Sequence, residues 1–219
     1  MTVRCPPPPA AADLPRLRSA DLIPSTGMVA VRLYRVDGAH PQSWDQFRFH
    51  GPLAGMRFDH QPPPTRDHPH RGVMYAALGG PRAGADPLHV AVLEAFAERR
   101  VVPVSPGSHW LVLWQPTRRL RVLDLAGSNW LARAGGNAAL MSGPRAVARR
   151  WARTIWNAYG ELDGISWSSS VLPAGRSLVF FERAADAVPT HPLLHVPLQH
   201  PRLLAPLARI AEEYGLDLL

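Results

Sequence analysis

A chain of 219 residues is long enough for one sizeable hydrophobic core, and 46% hydrophobic against 19% charged residues is a globular balance. All 24 basic residues are arginine, which excludes chemistry that needs a lysine, whether a Schiff base or a phosphate-binding P-loop. The net charge of +7 attracts polyanions, yet the arginines are dispersed rather than gathered in one run, so direct nucleic-acid binding is not expected.

Residues 1–25, rich in Pro, Ala and Arg, read as a flexible leader. A first strand is predicted over 28–36, where alternation places Val29, Val31, Leu33 and Arg35 on one face and Ala30, Arg32 and Tyr34 on the other. Residues 59–71 form a loop on proline content, followed by a strand over 73–78. Asp86 and Pro87 supply an N-cap and a first helical position, and the helix they open carries Glu94 near its middle. Strands are expected near 101–104, 109–114 and 120–125. A second helix starts at Ser142 and Pro144 and runs to Tyr159, with Val147, Trp151, Ile155 and Ala158 as its buried stripe. Strands over 164–168 and 177–182 close the core, and a terminal helix lies near 202–214. The irregular mixture argues for α+β, and no G-x-G-x-x-G follows a strand, so a Rossmann site is not supported.

No apolar stretch approaches the roughly 18 residues of a membrane span, and the leader lacks the apolar core of a secretory signal. With one cysteine, Cys5, no internal disulfide can form, and a cytoplasmic location is the expectation.

Five polar residues stand out because each interrupts an apolar element: Arg35 in V-R-L-Y-R-V, Arg57 in G-M-R-F, Tyr75 in V-M-Y-A-A-L, Glu94 in V-A-V-L-E-A-F and Ser169 in D-G-I-S-W-S-S-S. Buried elements exclude Arg and Glu unless these are paired or at work. Each residue alone has a plain structural explanation: a surface arginine, a solvated helix glutamate, a packed tyrosine. Together they suggest one cleft. His60, His68 and His70 share a loop, but solvated histidines account for them better than a metal site, so no metal is expected. Arg145, Arg149, Arg150 and Arg153 read as the polar face of the second helix, solvated or open to an acidic partner.

In sequence order these motifs resemble the RES domain, a bacterial family named for its Arg, Glu and Ser, over residues 28–185. The resemblance implies a single compact α+β domain with a split mixed sheet, similar to the ADP-ribosyltransferases. It spans a catalytic unit at 26–186, with 187–219 as a C-terminal extension. It also implies a toxin of a toxin–antitoxin pair that cleaves NAD+ at the nicotinamide–ribose bond. Arg57, Glu94 and Ser169 would be catalytic, and Arg35 and Tyr75 would bind substrate. NAD+ would be the substrate and not a resident cofactor, with phosphate as co-substrate. The partner would be a DNA-binding, Xre-like antitoxin, in a hetero-oligomer or beside a homo-oligomer. The acceptor stays open among phosphate, water and a protein side chain. A protein ADP-ribosyltransferase and a catalytically silent nucleotide- or RNA-binding module are the competing functions.

Overall fold

The computed structural model describes residues 4–37, 41–105, 107 and 109–219. Its first half comprises β1 (Val29–Arg35), β2 (His50–Gly51), β3 (Arg66–Asp67), β4 (Val73–Gly79), α1 (Pro87–Phe96), β5 (Val101–Val102) and β6 (His109–Trp114). The second half adds β7 (Val122–Asp124), α2 (Trp130–Arg133), α3 (Ala139–Ser142), α4 (Arg145–Ala158), β8 (Gly164–Ser168), β9 (Arg176–Phe181), β10 (Leu194–Pro197), α5 (Pro201–Tyr214) and β11 (Asp217–Leu218). Seven strands form a mixed sheet in the order β10-β6-β1-β4-β9-β8-β7. Every neighbouring pair is antiparallel except β7 and β8. The architecture is α+β.

Strand register fixes what each face of this sheet carries. Val31 pairs with Ala77, Tyr75 with Val179, Ala77 with Ser177, and Trp167 with Ser177. With side chains alternating along each strand, Val31, Tyr75, Ala77, Trp167, Ser177 and Val179 therefore share one face. The opposite face buries Ala30, Tyr34, Met74, Leu78, Val112, Trp114, Leu178 and Phe180 under Ile23, Phe47, Leu120 and Ala184. On the first face two helical groups part. One packs α1 and α5 through Val92, Leu93, Phe96, Leu207 and Ile210. The other packs α2 and α4 through Trp130, Ala148, Trp151 and Ile155. The sheet is continuous, and the split lies in the helical layer above it.

Asp86 caps α1 as its sequence predicts, its carboxylate accepting from the Leu88 N–H at 2.8 Å, with Pro87 as the first helical residue. The helix stops at Phe96, which puts Glu94 in its last turn. Helix α4 begins later than expected. Ser142 closes the short α3, and Pro144 takes the cap position without a side-chain bond. Its buried residues are Ala148, Trp151, Ala152 and Ile155, with Val147 and Ala158 only half-buried at the stripe's edges.

Both expected appendages are part of the core. In the leader, Cys5 and Leu14 are buried against the α4 group. The Trp151 indole donates to the Pro6 carbonyl at 2.9 Å and the Tyr159 hydroxyl to that of Pro15 at 2.6 Å. Composition suggested flexibility, but here proline-rich backbone offers carbonyls to two buried aromatics that need acceptors. In the C-terminal segment, β10 is an edge strand of the main sheet and β11 pairs with β5. His195 sits in β10 and is hydrogen-bonded with the Tyr34 hydroxyl. Among the described residues no helix is long and apolar enough to cross a membrane.

Deleting residues 1–16 strips apolar cover and two acceptors from Trp151 and Tyr159. The expected loss is about 3 kcal/mol, or on the order of 10 °C in Tm, read by differential scanning calorimetry. An unchanged Tm would show that the leader is not part of the folded unit.

Candidate active site

A cavity of about 360 Å³ opens where the two helical groups part, within the roughly 300–1,000 Å³ of small-molecule sites. Its floor is the sheet face carrying Val31, Tyr75, Ala77, Trp167 and Ser177. One wall is α1 and the turn after it, where Val90, Ala91, Glu94, Ala95 and Glu98 recur at helical spacing. The facing wall is the Gly55–Met56–Arg57 turn with Arg145 at the start of α4.

Glu94 is exposed only in the sense that it faces this opening. Its Oε1 accepts from the Ser169 hydroxyl at 2.6 Å and from the Ser177 hydroxyl at 3.2 Å. Ser169 is buried, and its Oγ also accepts from the backbone N–H groups of Val171 (3.3 Å) and Leu172 (3.1 Å). Close approach makes this geometry available. A Cβ on Gly175 would overlap the Val90 side chain, and Gly84, at φ +78°, passes against the Ala174 carbonyl. These two glycines let the 169–175 loop press on α1.

Arg57 donates to the carbonyls of Gly143 at 2.7 Å and Leu140 at 3.3 Å, in the segment that leads into α4. Arg149 of α4 answers with bonds to the carbonyls of Leu53, Ala54 and Met56 at 3.0–3.2 Å. Loop and helix are thus stitched in both directions, and the Arg57 guanidinium is held at the cavity wall. Burial lowers its pKa, repulsion from Arg145 adds to the effect, and Glu94 opposes it.

Tyr75 reaches the cavity with its ring. Its hydroxyl donates to Asp59 Oδ1 at 2.9 Å and accepts from the Phe58 N–H at 3.0 Å, so it is not free for a ligand. Burial first, and the Asp59 charge second, push the phenol well above its ordinary pKa. Trp167 stands edge-on to the Tyr75 ring at 6.0 Å.

The structure therefore brings Arg57, Tyr75 and Glu94 to one cavity, with Ser169 directly behind Glu94. Ser169 reaches the site through Glu94 and is absent from the cavity lining, so its geometry suits positioning more than contact with a ligand. Arg35 is not brought there. It lies exposed at the end of β1, 3.3 Å from Asp37, because the strand outruns the core at that point. Among the lining residues that the sequence did not assign to a site are Trp167, Ser177 and Arg145, the last read there as part of a helix face that is solvated or open to an acidic partner. A signal existed for Arg145, since a cation in the first turn of a helix opposes the macrodipole unless an anion visits.

The loop histidines are placed apart. His60 is fully buried against Trp156 and Phe181, His68 is buried, and His70 is exposed. Among the described residues no group of three His, Cys, Asp or Glu side chains could hold a metal ion.

A cavity with arginines on one wall and carboxylates on the other, floored by an α+β sheet, is a candidate ligand site, and sequence similarity gives the chain a family. The family model for the RES domain matches residues 32–203, and the chain belongs to that family. The match runs past residue 186 into α5, in keeping with the packing of the C-terminal segment. A chain from the crystal structure of the M. tuberculosis MbcT–MbcA toxin–antitoxin complex has the same fold. It aligns at TM-score 0.50 and 14% identity over 89% of this chain and 91% of that one. No curated protein matches in sequence.

Two outcomes follow for stability. Asp59→Asn leaves Arg48 and Tyr75 without their buried charge and is expected to cost about 3–5 kcal/mol in urea unfolding; a loss below about 1 kcal/mol would sink the anchoring role. Burial lowers the pKa of His60, and desolvation likewise lowers those of His109 and His195. The unfolded chain takes up these protons near pH 6.5 while the native state resists them. Stability should be full above that pH and fall as pH drops through it; urea midpoints that stay flat between about pH 7.5 and 5.5 would contradict this.

Proposed function

We propose that this protein is an NAD+-degrading toxin enzyme, that phosphate is its acceptor, and that a DNA-binding, Xre-like antitoxin restrains it. The observation that carries the reading is a carboxylate held by two hydroxyls, Ser169 and Ser177, across one cavity from Arg57. Family membership supports the assignment, and the related fold in a toxin–antitoxin complex supports the protein partner.

The chemistry suits these residues. When the bond from the nicotinamide nitrogen to ribose C1′ breaks, its electron pair leaves with nicotinamide and neutralises the ring. The ribose becomes oxocarbenium-like, and the Glu94 carboxylate stabilises that charge and the ribose hydroxyls. A phosphate oxygen then bonds C1′, giving ADP-ribose 1-phosphate and free nicotinamide. The Tyr75 ring and Trp167 offer aromatic surface to the nicotinamide, and the Arg57 fork suits the pyrophosphate. Ser169 and Ser177 keep Oε1 occupied, so Oε2 is the oxygen presented to substrate.

The test is NAD+ loss by the purified full-length chain, with and without phosphate, products read by mass spectrometry. Phosphate-dependent loss should fall about 10²–10³-fold in Glu94→Gln and roughly tenfold in Ser169→Ala, which loses one charged hydrogen bond. ADP-ribose formed without phosphate would replace the phosphorylase by a glycohydrolase. No loss in either condition would overturn NAD+ degradation in favour of a transferase needing a protein target, or a silent binding module.

A further inference from the structure

Four arginines of this protein are matched with buried carboxylates, and others, Arg32 and Arg149 among them, spend their donors on backbone carbonyls. Arg48 pairs with Asp59, Arg82 with Asp124, Arg118 with Asp163, and Arg133 with Asp21. Arg57 bonds carbonyls as Arg32 and Arg149 do, whereas among the described residues the Arg145 side chain has no hydrogen-bond acceptor at all. Both line the cavity, and among the described residues neither forms an ion pair with any carboxylate. They are close enough that Arg145 depresses the Arg57 pKa, behind burial as the larger cause. Glu94 on the opposite wall acts on Arg57 only through space, and neither wall carboxylate comes within ion-pair distance of either arginine. Glu94 Oε1 is committed to Ser169 and Ser177, and Glu98 lies one turn further along that wall.

Two guanidinium groups lining one cavity, one of them opening the 14-residue α4 where the backbone already presents positive potential, repel each other unless an anion lies between them. Arg57 also has its Nη1 turned to the Leu140 and Gly143 carbonyls, so its bonding to backbone is confined to one edge of the fork. We propose that Arg57 and Arg145 together form a subsite for a phosphate-class dianion, with Arg145 the residue that sets its affinity. Two sources share this chemistry: inorganic phosphate as acceptor, and the pyrophosphate of the dinucleotide. The inference rests on the reading above for the identity of the dinucleotide, while the anion chemistry stands on the arginines themselves.

The experiment is isothermal titration calorimetry on the full chain, with inorganic phosphate in one arm and ADP, as a pyrophosphate probe, in the other. Arg145→Ala is compared with wild type, with Arg145→Lys and with Arg150→Ala. Arg150 is an exposed arginine of the same helix that lies outside the cavity. Removing a cation from a helix start does not oppose folding, so Arg145→Ala should keep the wild-type Tm.

Losing a charge-assisted fork should weaken the bound anion by roughly tenfold or more, with Arg145→Lys intermediate and Arg150→Ala unchanged within about twofold. A tenfold loss for phosphate supports the subsite with the acceptor as occupant. A tenfold loss for ADP alone supports it with the pyrophosphate as occupant. Equal losses in Arg145→Ala and Arg150→Ala, or no loss in either arm, would overturn it. The two readings fail separately. Intact NAD+ with Arg145-dependent anion binding sinks the NAD+ degradation and leaves the subsite. NAD+ loss with anion binding indifferent to Arg145 does the reverse.

Discussion

The site depends on one buried charge. Asp59 has no solvent exposure, yet its carboxylate meets the Arg48 guanidinium and the Tyr75 hydroxyl at Oδ1 and the Leu53 N–H at Oδ2. An ionised group in that position is tolerable only when every lone pair is answered, which makes the arrangement all-or-nothing. Because Asp59 holds Leu53 at one end and the β4 tyrosine at the other, it fixes the turn from 53 to 58. That turn carries Arg57. The direction of the Arg57 guanidinium is thus set by a carboxylate that never touches the cavity.

The rest of the scaffold is held largely by arginine acting on backbone. Arg32, whose pKa burial pushes down to about 10, reaches the Trp44 and Gln46 carbonyls and the Gln42 amide from β1. Arg183 and Arg71 lie over the Trp156 ring at 4.2 and 3.9 Å while bonding carbonyls of Tyr159, Trp156 and His60. A planar group with five donors can staple several carbonyls and stack at once, and an ammonium cannot. A chain without lysine therefore still closes long irregular loops over its sheet.

How much of this was legible in the sequence follows from the range of each interaction. Strands such as 109–114 and 164–168 and the capped start of α1 are local patterns, and they appear where alternation and the Asp86–Pro87 pair put them. Arg57, Tyr75 and Glu94 were legible as anomalies in apolar runs. Arg35 looked the same locally but sits where β1 leaves the core, a boundary that periodicity does not reveal. Ser177 and Trp167 reach the floor only through strand register, which depends on long-range pairing. The leader's packing was hidden for a related reason: its stabilising groups are carbonyls, which composition does not report.

Glu94 shows why this cavity is more than a gap between helices. A glutamate in the last turn of α1 faces the unfavourable end of the helix dipole, where a cation would be preferred. A long side chain there would ordinarily swing into water, at no gain from ordering. Here two hydroxyls, one from the loop after β8 and one from β9, hold one oxygen, and the loop hydroxyl is itself fixed by two backbone N–H groups. Two layers of hydrogen bonding thus order a charge that the helix alone disfavours. Such an arrangement has no evident structural purpose, because α1 is already anchored by Val90, Val92, Leu93 and Phe96. What it does accomplish is to order the carboxylate at the cavity wall, facing the wall that carries Arg57 and Arg145.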